Sequence, residues 1–457
     1  MNKRETFSSK IAFIVVSISC AIGLGNIWLM PYRAGMYGGA LYILLVAAFI
    51  FLLSIPVLLT EYAVGRGSGQ SVARHYQVLQ PKGSKWHVSS YLSIAGNYLL
   101  MMFYTVIVGF TLSYFWKGVT GSLIGQSPEY IVASFAGLTS DPVQSYGLTL
   151  VILVLGFLAI SFGVKRGLER VSKYMMGIFF VLMLALIVRS VTLPGAYDGL
   201  AFLFIPNLSA MQEHGVFRII HMAMGQALFS VSVGMGSMAI FGSYTSKDRM
   251  LFKDAFTVGV LDLAIAILCL IMIFPAAFAF GISPAVGEGL LFVTLPNIFN
   301  QMPVSYVWSL MFYTGLLFVS FSTGVAVMEN LVAICMDKWN LSRKKSVIIN
   351  FGILALLCMP AAFGRNIWSA VTVPGFPHMG SFFTFLVMEN VLPIGSLIYV
   401  LFCMTKKGWG WDNFIAEANT GKEGWAFPTS LRFYMTYILP LGIIFIFIFG
   451  FVQRFIL

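Results

Sequence analysis

Nine stretches of this chain carry no Asp, Glu, Lys or Arg: residues 11–32, 34–60, 86–116, 142–164, 219–246, 263–287, 289–328, 346–364 and 433–453. The hydrocarbon core of a bilayer is about 30 Å thick and is crossed by roughly 20 apolar residues in helical form. The run 289–328 is too long for one crossing and holds Pro296 and Pro303, which predicts an external loop with short helices followed by a span. Two further spans are expected over 168–193 and over 380–404, the latter holding one carboxylate, Glu389. The count is then eleven. Helices are expected rather than a barrel, because the runs lack period-2 alternation and a bilayer offers no water to satisfy an open backbone. Length alone would suit two or three soluble domains, but only 10% of the 457 residues are charged, against roughly 25% in a soluble domain.

The net charge of +11 could suggest a polyanionic partner, but its placement argues otherwise. With loops assigned alternately to the two sides, 22 of the 28 basic residues fall on one side, among them Arg66, Arg74, Lys165, Arg166, Lys247, Arg249, Arg343 and Lys344. The positive-inside rule makes that side cytoplasmic, with the N-terminus in and the C-terminus out. The basic excess reports topology, and no nucleic acid is expected. Lys3, Arg4 and Lys10 before an apolar run imitate a secretory signal, but the 22-residue run exceeds a signal core and no small-residue cleavage site follows. It reads as the first span. The five cysteines (Cys20, Cys269, Cys335, Cys358, Cys403) all sit in apolar segments, where packing is the default role. Residues 406–430 are expected as a cytoplasmic loop and 194–212 as an external one.

Span one has a glycine-interrupted centre, Ala21-Ile22-Gly23-Leu24-Gly25-Asn26, and span six, five helices later, has Ser230-Val231-Ser232-Val233-Gly234-Met235-Gly236-Ser237. Glycine costs about 1 kcal/mol in a helix interior, so paired glycines in mid-membrane ask for a reason. Small residues can serve close helix packing. Secondary transporters offer another reason: two inverted halves each supply a discontinuous helix whose broken ends aim backbone dipoles at a midplane site. The match of Gly234–Ala239 to a dinucleotide fingerprint is spurious, since it lies inside an uncharged run with no strand before it and no acidic partner after it. No His/Cys metal spacing, P-loop or nucleophile elbow is present, so no enzyme is expected.

The run Ala21-Ile22-Gly23-Leu24-Gly25-Asn26-Ile27-Trp28 with Pro31-Tyr32 resembles the first-helix signature of the neurotransmitter:sodium symporter family, in its bacterial amino-acid-transporting branch. So do Glu61-Tyr62-Ala63-Val64-Gly65-Arg66 in span two, Gly225-Gln226 with Gly234-Met235-Gly236 in span six, and Ile273-Phe274-Pro275 with Phe278-Ala279-Phe280-Gly281 in span seven. The resemblance implies an all-α membrane protein made as one domain. Its inverted repeats would cover approximately residues 8–193 and 215–404, with an extra helix at 433–453. It implies a sodium-coupled symporter in a bacterial cytoplasmic (inner) membrane. The expected partners are a small-molecule amino acid, Na+ and the lipid bilayer, with two Na+ ions as co-transported ligands, no other cofactor, and a monomer or weak dimer.

The resemblance places a first sodium site at the Ala21 carbonyl, Asn26, Ser230 and Asp262, and a second at the Ser19, Ile22 and Val319 carbonyls with the Ser322 and Thr323 hydroxyls. Those hydroxyls could equally bond back to carbonyls one turn earlier in their own helix. Asp262 stands out from the residues alone, because an intramembrane carboxylate costs about 2.5–3.5 kcal/mol and is functional by default. Where chloride-dependent members use a span-two tyrosine, this chain has Val46, so Asp262 is expected to supply the negative charge itself; proton counter-movement through it stays open. Gly23 stands where monoamine carriers have an aspartate, which implies a substrate that brings its own carboxylate. Ala21, Gly23, Gly25, Tyr104 and Ser230 would hold the amino-acid backbone, and Leu100, Phe229, Ser232, Met235 and Val327 would wall a hydrophobic or aromatic side chain.

The chain departs from the family at the external gate. An arginine is replaced by Leu29, and the span-ten stretch Ser381-Phe382-Phe383-Thr384-Phe385 has no aspartate. Losing both halves together suits an apolar contact, since one unpaired buried charge is costly. Arg33 lies nearby, one turn on, and receives no role. The internal gate is expected from Arg4 with Asp337, aided by Tyr244. Glu329 and Glu389 have no assigned role and could serve as ion sites or pair with each other. A sensor that binds sodium and amino acid without net transport remains an alternative, though no output domain is visible; a pore would call for a subunit-repeated filter, and none is evident.

Overall fold

The computed structural model describes residues 6–283, 287 and 289–455. Among them the structure is helical throughout, and the only extended pairing is an isolated bridge between Arg249 and Glu423. Among the described residues, nine helices are long and apolar enough to cross a membrane: Ala40–Ser68, Trp86–Thr120, Pro142–Ser161, Val164–Val191, Leu251–Ala279, Ser305–Trp339, Arg343–Phe363, Met379–Met404 and Thr429–Gln453. Span one is a bent pair, Lys10–Ala21 and Gly25–Met36, with 51° between its halves. Span six is two helices, Val216–Ser230 and Ser237–Ser243, neither long enough to cross alone. The expected count of eleven thus counts two interrupted helices as spans.

The stretches expected as plain loops carry helices. Residues 194–212 contain Ala196–Phe204 and the start of Ser209–His214, and residues 406–430 contain Trp411–Ala418. The long uncharged run resolves as expected into short turns over residues 290–300 and then span eight.

Proline explains much of the helix irregularity. Wide π-helical turns at Gly25–Leu29, Ile50–Ser54, Leu290–Thr294, Leu386–Val391 and Tyr434–Ile438 each end two residues before a proline: Pro31, Pro56, Pro296, Pro393 and Pro440. Proline offers no N–H and its ring pushes against the carbonyl four residues back, so the preceding turn widens rather than breaks.

Spans one and six lie at the centre. The inner half of span one packs on spans five, seven and eight, and the inner half of span six packs on span two. The loop after span ten is fastened beneath this core. Arg66, at the end of span two, donates through Nε to Glu417 Oε1 at 2.7 Å and through Nη1 to the Arg249 carbonyl at 2.5 Å. The Met250 amide donates to the Glu423 carbonyl at 2.8 Å, and Trp425 and Phe427 pack on Phe256 and Phe252. Both members of the ion pair are buried. Removing one partner of a buried pair leaves an uncompensated charge and costs about 3–5 kcal/mol. Glu417→Leu is therefore expected to lower the thermal midpoint of the detergent-solubilised protein sharply, and Arg66→Leu with Glu417→Leu together to lower it less; thiol-dye melting curves check both.

Candidate ion and substrate site

The inner half of span one ends at Ala21. Ile22 turns extended (φ −79°, ψ 110°), and helical structure resumes at Leu24. Gly25 therefore opens the next turn, and the interruption lies at residues 22 and 23, not across 23–25 as the glycine spacing suggested. In span six the helix stops at Ser230 and restarts at Ser237. Within that gap Gly234 (φ 100°) and Gly236 (φ 74°) are left-handed, and so is Ser232 (φ 57°). Both glycines also lie tight against neighbours: a β-carbon on Gly236 would stand 2.6 Å from the Tyr399 hydroxyl, and one on Gly234 2.9 Å from Ser396 Oγ.

The two interruptions meet. Asn26 Nδ2 donates to Asp262 Oδ1 at 2.8 Å, and Ser230 Oγ donates to Asp262 Oδ2 at 2.6 Å. All three side chains are buried. No cationic side chain among the described residues lies within ion-pair distance of Asp262. A fully buried carboxylate held only by neutral donors is an unusual and costly arrangement.

A second oxygen cluster lies across the break. Thr323 Oγ1 is 2.8 Å from the Ser19 carbonyl, 2.8 Å from that of Ile22 and 3.1 Å from that of Val319, and Ser322 Oγ lies 3.0 Å from the Val319 carbonyl. The break frees the first two carbonyls: the Gly23 amide turns toward Asn26 Oδ1 (3.5 Å), and the Asn26 amide toward the Gly23 carbonyl (3.2 Å). The Ser19 and Ile22 carbonyls thus share the one Thr323 proton, at the negative end of a half-helix, with the Val319 carbonyl and the Ser322 hydroxyl alongside. Such a set favours a cation over another donor.

Between the clusters is a cavity lined by Ala21, Gly23, Leu24, Gly25, Leu100, Tyr104, Phe229, Ser232, Met235, Ser237, Thr323, Val327 and Leu392. Ser230, expected both beside Asp262 and near the substrate backbone, donates to Asp262 and is not on the cavity lining. A water's centre can occupy about 20 Å³ of it, room for roughly one or two waters. A β-carbon on Gly23 would stand 2.9 Å from both Tyr104 Oη and Thr323 Oγ1, so the bare α-carbon keeps that corner open. Tyr104 Oη donates to the Ser320 carbonyl at 3.0 Å. Leu24, Ser237 and Leu392 escaped the sequence reading. Ser237 directly follows the glycine pair and could have been found, but nothing local marks Leu392 of span ten.

Sequence reasoning also quoted Glu61 without giving it a task. Its Oε1 accepts the Gly234 amide, and the amides of Gly236, Met238 and Ala239 surround the carboxylate. Asn97 Nδ2 donates to the Met235 carbonyl at 2.9 Å, while Ser237 Oγ and Asn330 Nδ2 donate to Asn97 Oδ1 at 2.9 Å each. These side chains take the place of the helix hydrogen bonds that span six gives up. At the expected internal gate, Arg4 lies outside the described residues. Asp337 Oδ2 accepts the Ser71 amide at 2.6 Å, and Tyr244 Oη donates to Glu329 Oε1 at 3.0 Å. Glu329 does not pair with Glu389: Arg343 grips it through Nη1 at 2.7 Å and Nη2 at 3.0 Å. At the outer side Leu29 is buried, and Phe376 packs on Phe382 and Phe385 at 5.2 and 5.1 Å between ring centres. Hydrogen bonds to a charged group contribute about 1.5–3 kcal/mol. Glu61→Gln, which turns an amine toward those amides, is expected to cost that much in thermal stability, and Glu61→Asp less; melting in detergent decides.

Comparison with known proteins bears on the family and the fold. The sodium:neurotransmitter symporter family matches residues 4–133 and 131–455. The uncharacterized sodium-dependent transporter YhdH of Bacillus subtilis is 32% identical over 98% of this chain and 97% of its own length. An uncharacterized sodium-dependent transporter of Haemophilus influenzae is 28% identical over 98% of both. More distantly, the sodium- and chloride-dependent GABA transporter ine of Drosophila melanogaster is 23% identical over 88% of this chain and 46% of its own. The crystal structure of MhsT in complex with L-phenylalanine superposes with a TM-score of 0.89 at 34% identity, over 98% of this chain and all of that one. With the whole sequence and the broken-helix architecture both accounted for, this chain belongs to the sodium:neurotransmitter symporter family.

Proposed function

We propose that this chain imports an amino acid with a hydrophobic or aromatic side chain across a bacterial cytoplasmic membrane, N-terminus inside, driven by sodium and independent of chloride. The observation that carries this reading is Asp262, wholly buried with no cationic side chain at hand among the described residues. Its missing counter-charge is supplied by Na+, with Asn26, Ser230 and the Ala21 carbonyl as further oxygen ligands. The oxygen cluster at Ser19, Ile22, Val319, Ser322 and Thr323 takes a second ion.

The substrate's carboxylate enters beside Gly23, where Tyr104 is poised to donate to it. Its side chain lies among Leu100, Phe229, Ser232, Met235 and Val327, an apolar wall save for one hydroxyl. The cavity is smaller than any such side chain, so binding displaces its walls; Met235, on non-helical backbone, is the adaptable part. An L-phenylalanine complex of the similar MhsT supports a substrate of this class. Each ligand shifts the outward–inward balance only by its differential affinity for the two states. Sodium and amino acid together draw the two broken helices toward each other, the outer path closes, and rocking of the bundle that holds them opens the inner one.

Purified protein in liposomes is expected to accumulate a labelled apolar amino acid uphill when an inward sodium gradient is imposed. Binding without accumulation would instead identify a sensor, and gradient-independent flux a pore. Replacing chloride with gluconate should leave uptake unchanged; collapse of uptake would overturn the role given to Asp262. Asp262→Asn keeps the shape and loses the charge, and is expected to raise the sodium concentration for half-maximal uptake at least about tenfold, as loss of a charge-assisted contact implies.

A further inference from the structure

Arg33 is a half-buried cation in the outer half of span one, and among the described residues it has no carboxylate within ion-pair distance. Its guanidinium is spent on neutral acceptors of span six: Nη1 donates to the Met222 carbonyl at 3.3 Å and to Gln226 Oε1 at 3.3 Å. Tyr42 Oη donates to the same Met222 carbonyl at 3.2 Å. Gln226 is wholly buried, and its other end reaches back to span one, where Nε2 donates to the Gly25 carbonyl at 3.2 Å. Gly25 lines the substrate cavity, and its α-carbon lies against the Phe229 ring, so that an added β-carbon would stand 3.0 Å from it. The outer halves of the two broken helices are therefore joined twice through one glutamine, first at the cavity roof and then one layer further out.

We propose that Arg33 and Gln226 form the outer latch of this carrier, with Arg33 a positioning residue that holds the outer halves of spans one and six together once the cavity is filled. The proposal rests on the transport reading above. At the outer end Leu29 is apolar and buried, and Phe382 and Phe385 pack with Phe376. A cation bonded to neutral groups suits a latch that must release in every cycle: each bond is charge-assisted, yet none leaves a buried anion stranded when it opens. Gln226 reports the state of the cavity to Arg33. Filling the cavity orders the Gly25 turn, this fixes the glutamine amide, and the amide oxygen is then held toward the guanidinium.

The test measures how fast a labelled amino acid, the one selected by the uptake panel, leaves the sodium-loaded, detergent-solubilised protein. Arg33→Leu and Gln226→Leu are each expected to speed dissociation roughly tenfold with the number of binding sites unchanged. The double variant should be no faster than the quicker single one, because both changes open the same latch. Arg33→Lys keeps the charge without the fork and should fall between wild type and Arg33→Leu. Unchanged dissociation in Arg33→Leu, or a double variant whose effect is the product of the two, would overturn the latch. So would fewer sites with normal dissociation in both Arg33 variants, since that marks a folding role only. Failure of wild-type protein to accumulate any amino acid would instead remove the transport reading, so the two failures are told apart.

Discussion

A peptide group inside a bilayer must find a hydrogen-bond partner within the protein, because lipid offers none. Two helices of this chain are interrupted where that rule is strictest, and the polar residues around the core can be understood as the response. Glu61 and Asn97 take up amides and a carbonyl released by span six. Gln226 takes the Gly25 carbonyl of span one. The carbonyls of Ser19 and Ile22 are left to a single threonine hydroxyl, which cannot satisfy both. The two interruptions thus differ: buried side chains take up an amide and a carbonyl of span six, while two carbonyls of span one share the Thr323 hydroxyl. A cation site is a place where the protein's own donors run short.

Charge follows the same logic. Several of the described buried ionic groups are paired: Glu329 with Arg343, and Arg66 with Glu417. These pairs join spans eight and nine, and span two to the loop after span ten, close to where the inner path would open. Glu61 also lacks a cation but caps the broken part of span six through the Gly234 amide, and two further groups depart from the pattern. Asp262 is an anion among neutral donors, and Arg33 a cation among neutral acceptors. Burying an unpaired charge is costly, so each of these positions needs either a ligand or a function that repays it. One faces the candidate ion site and the other the proposed latch.

Much of the fold was legible along the chain, since hydropathy over some twenty residues is a local property and lipid enforces it. The exceptions have local causes too. The glycine pair 23 and 25 suggested a break centred between them, but Pro31 widens the following turn to reach back to Gly25, which shortens the break to two residues. The 194–212 stretch was read as loop because its helices are too short to show a span. The site was less legible. Asp262 declared itself as a charge in an apolar run, and Asn26, Ser230 and Thr323 came only through resemblance. Glu61 was visible as a motif but not as a clamp, because its partners are backbone amides that have no sequence signature. Glu329 was singled out and its partner missed, since Arg343 reads as one of several cytoplasmic bases.

The sequence by itself determined that the chain lives in a membrane, and that two mid-membrane helices carry too many small residues to run unbroken. Those follow from composition and from the conformational range of single residues. Only the tertiary structure decided which freed carbonyls would share a hydroxyl, that Leu392 would close the cavity from span ten, and that Arg33 would reach Gln226 in place of a carboxylate. The reason is that hydrogen bonding and desolvation act over about 3 Å between groups that stand up to hundreds of residues apart, and no local pattern encodes which of many possible partners the packed helices bring within that reach.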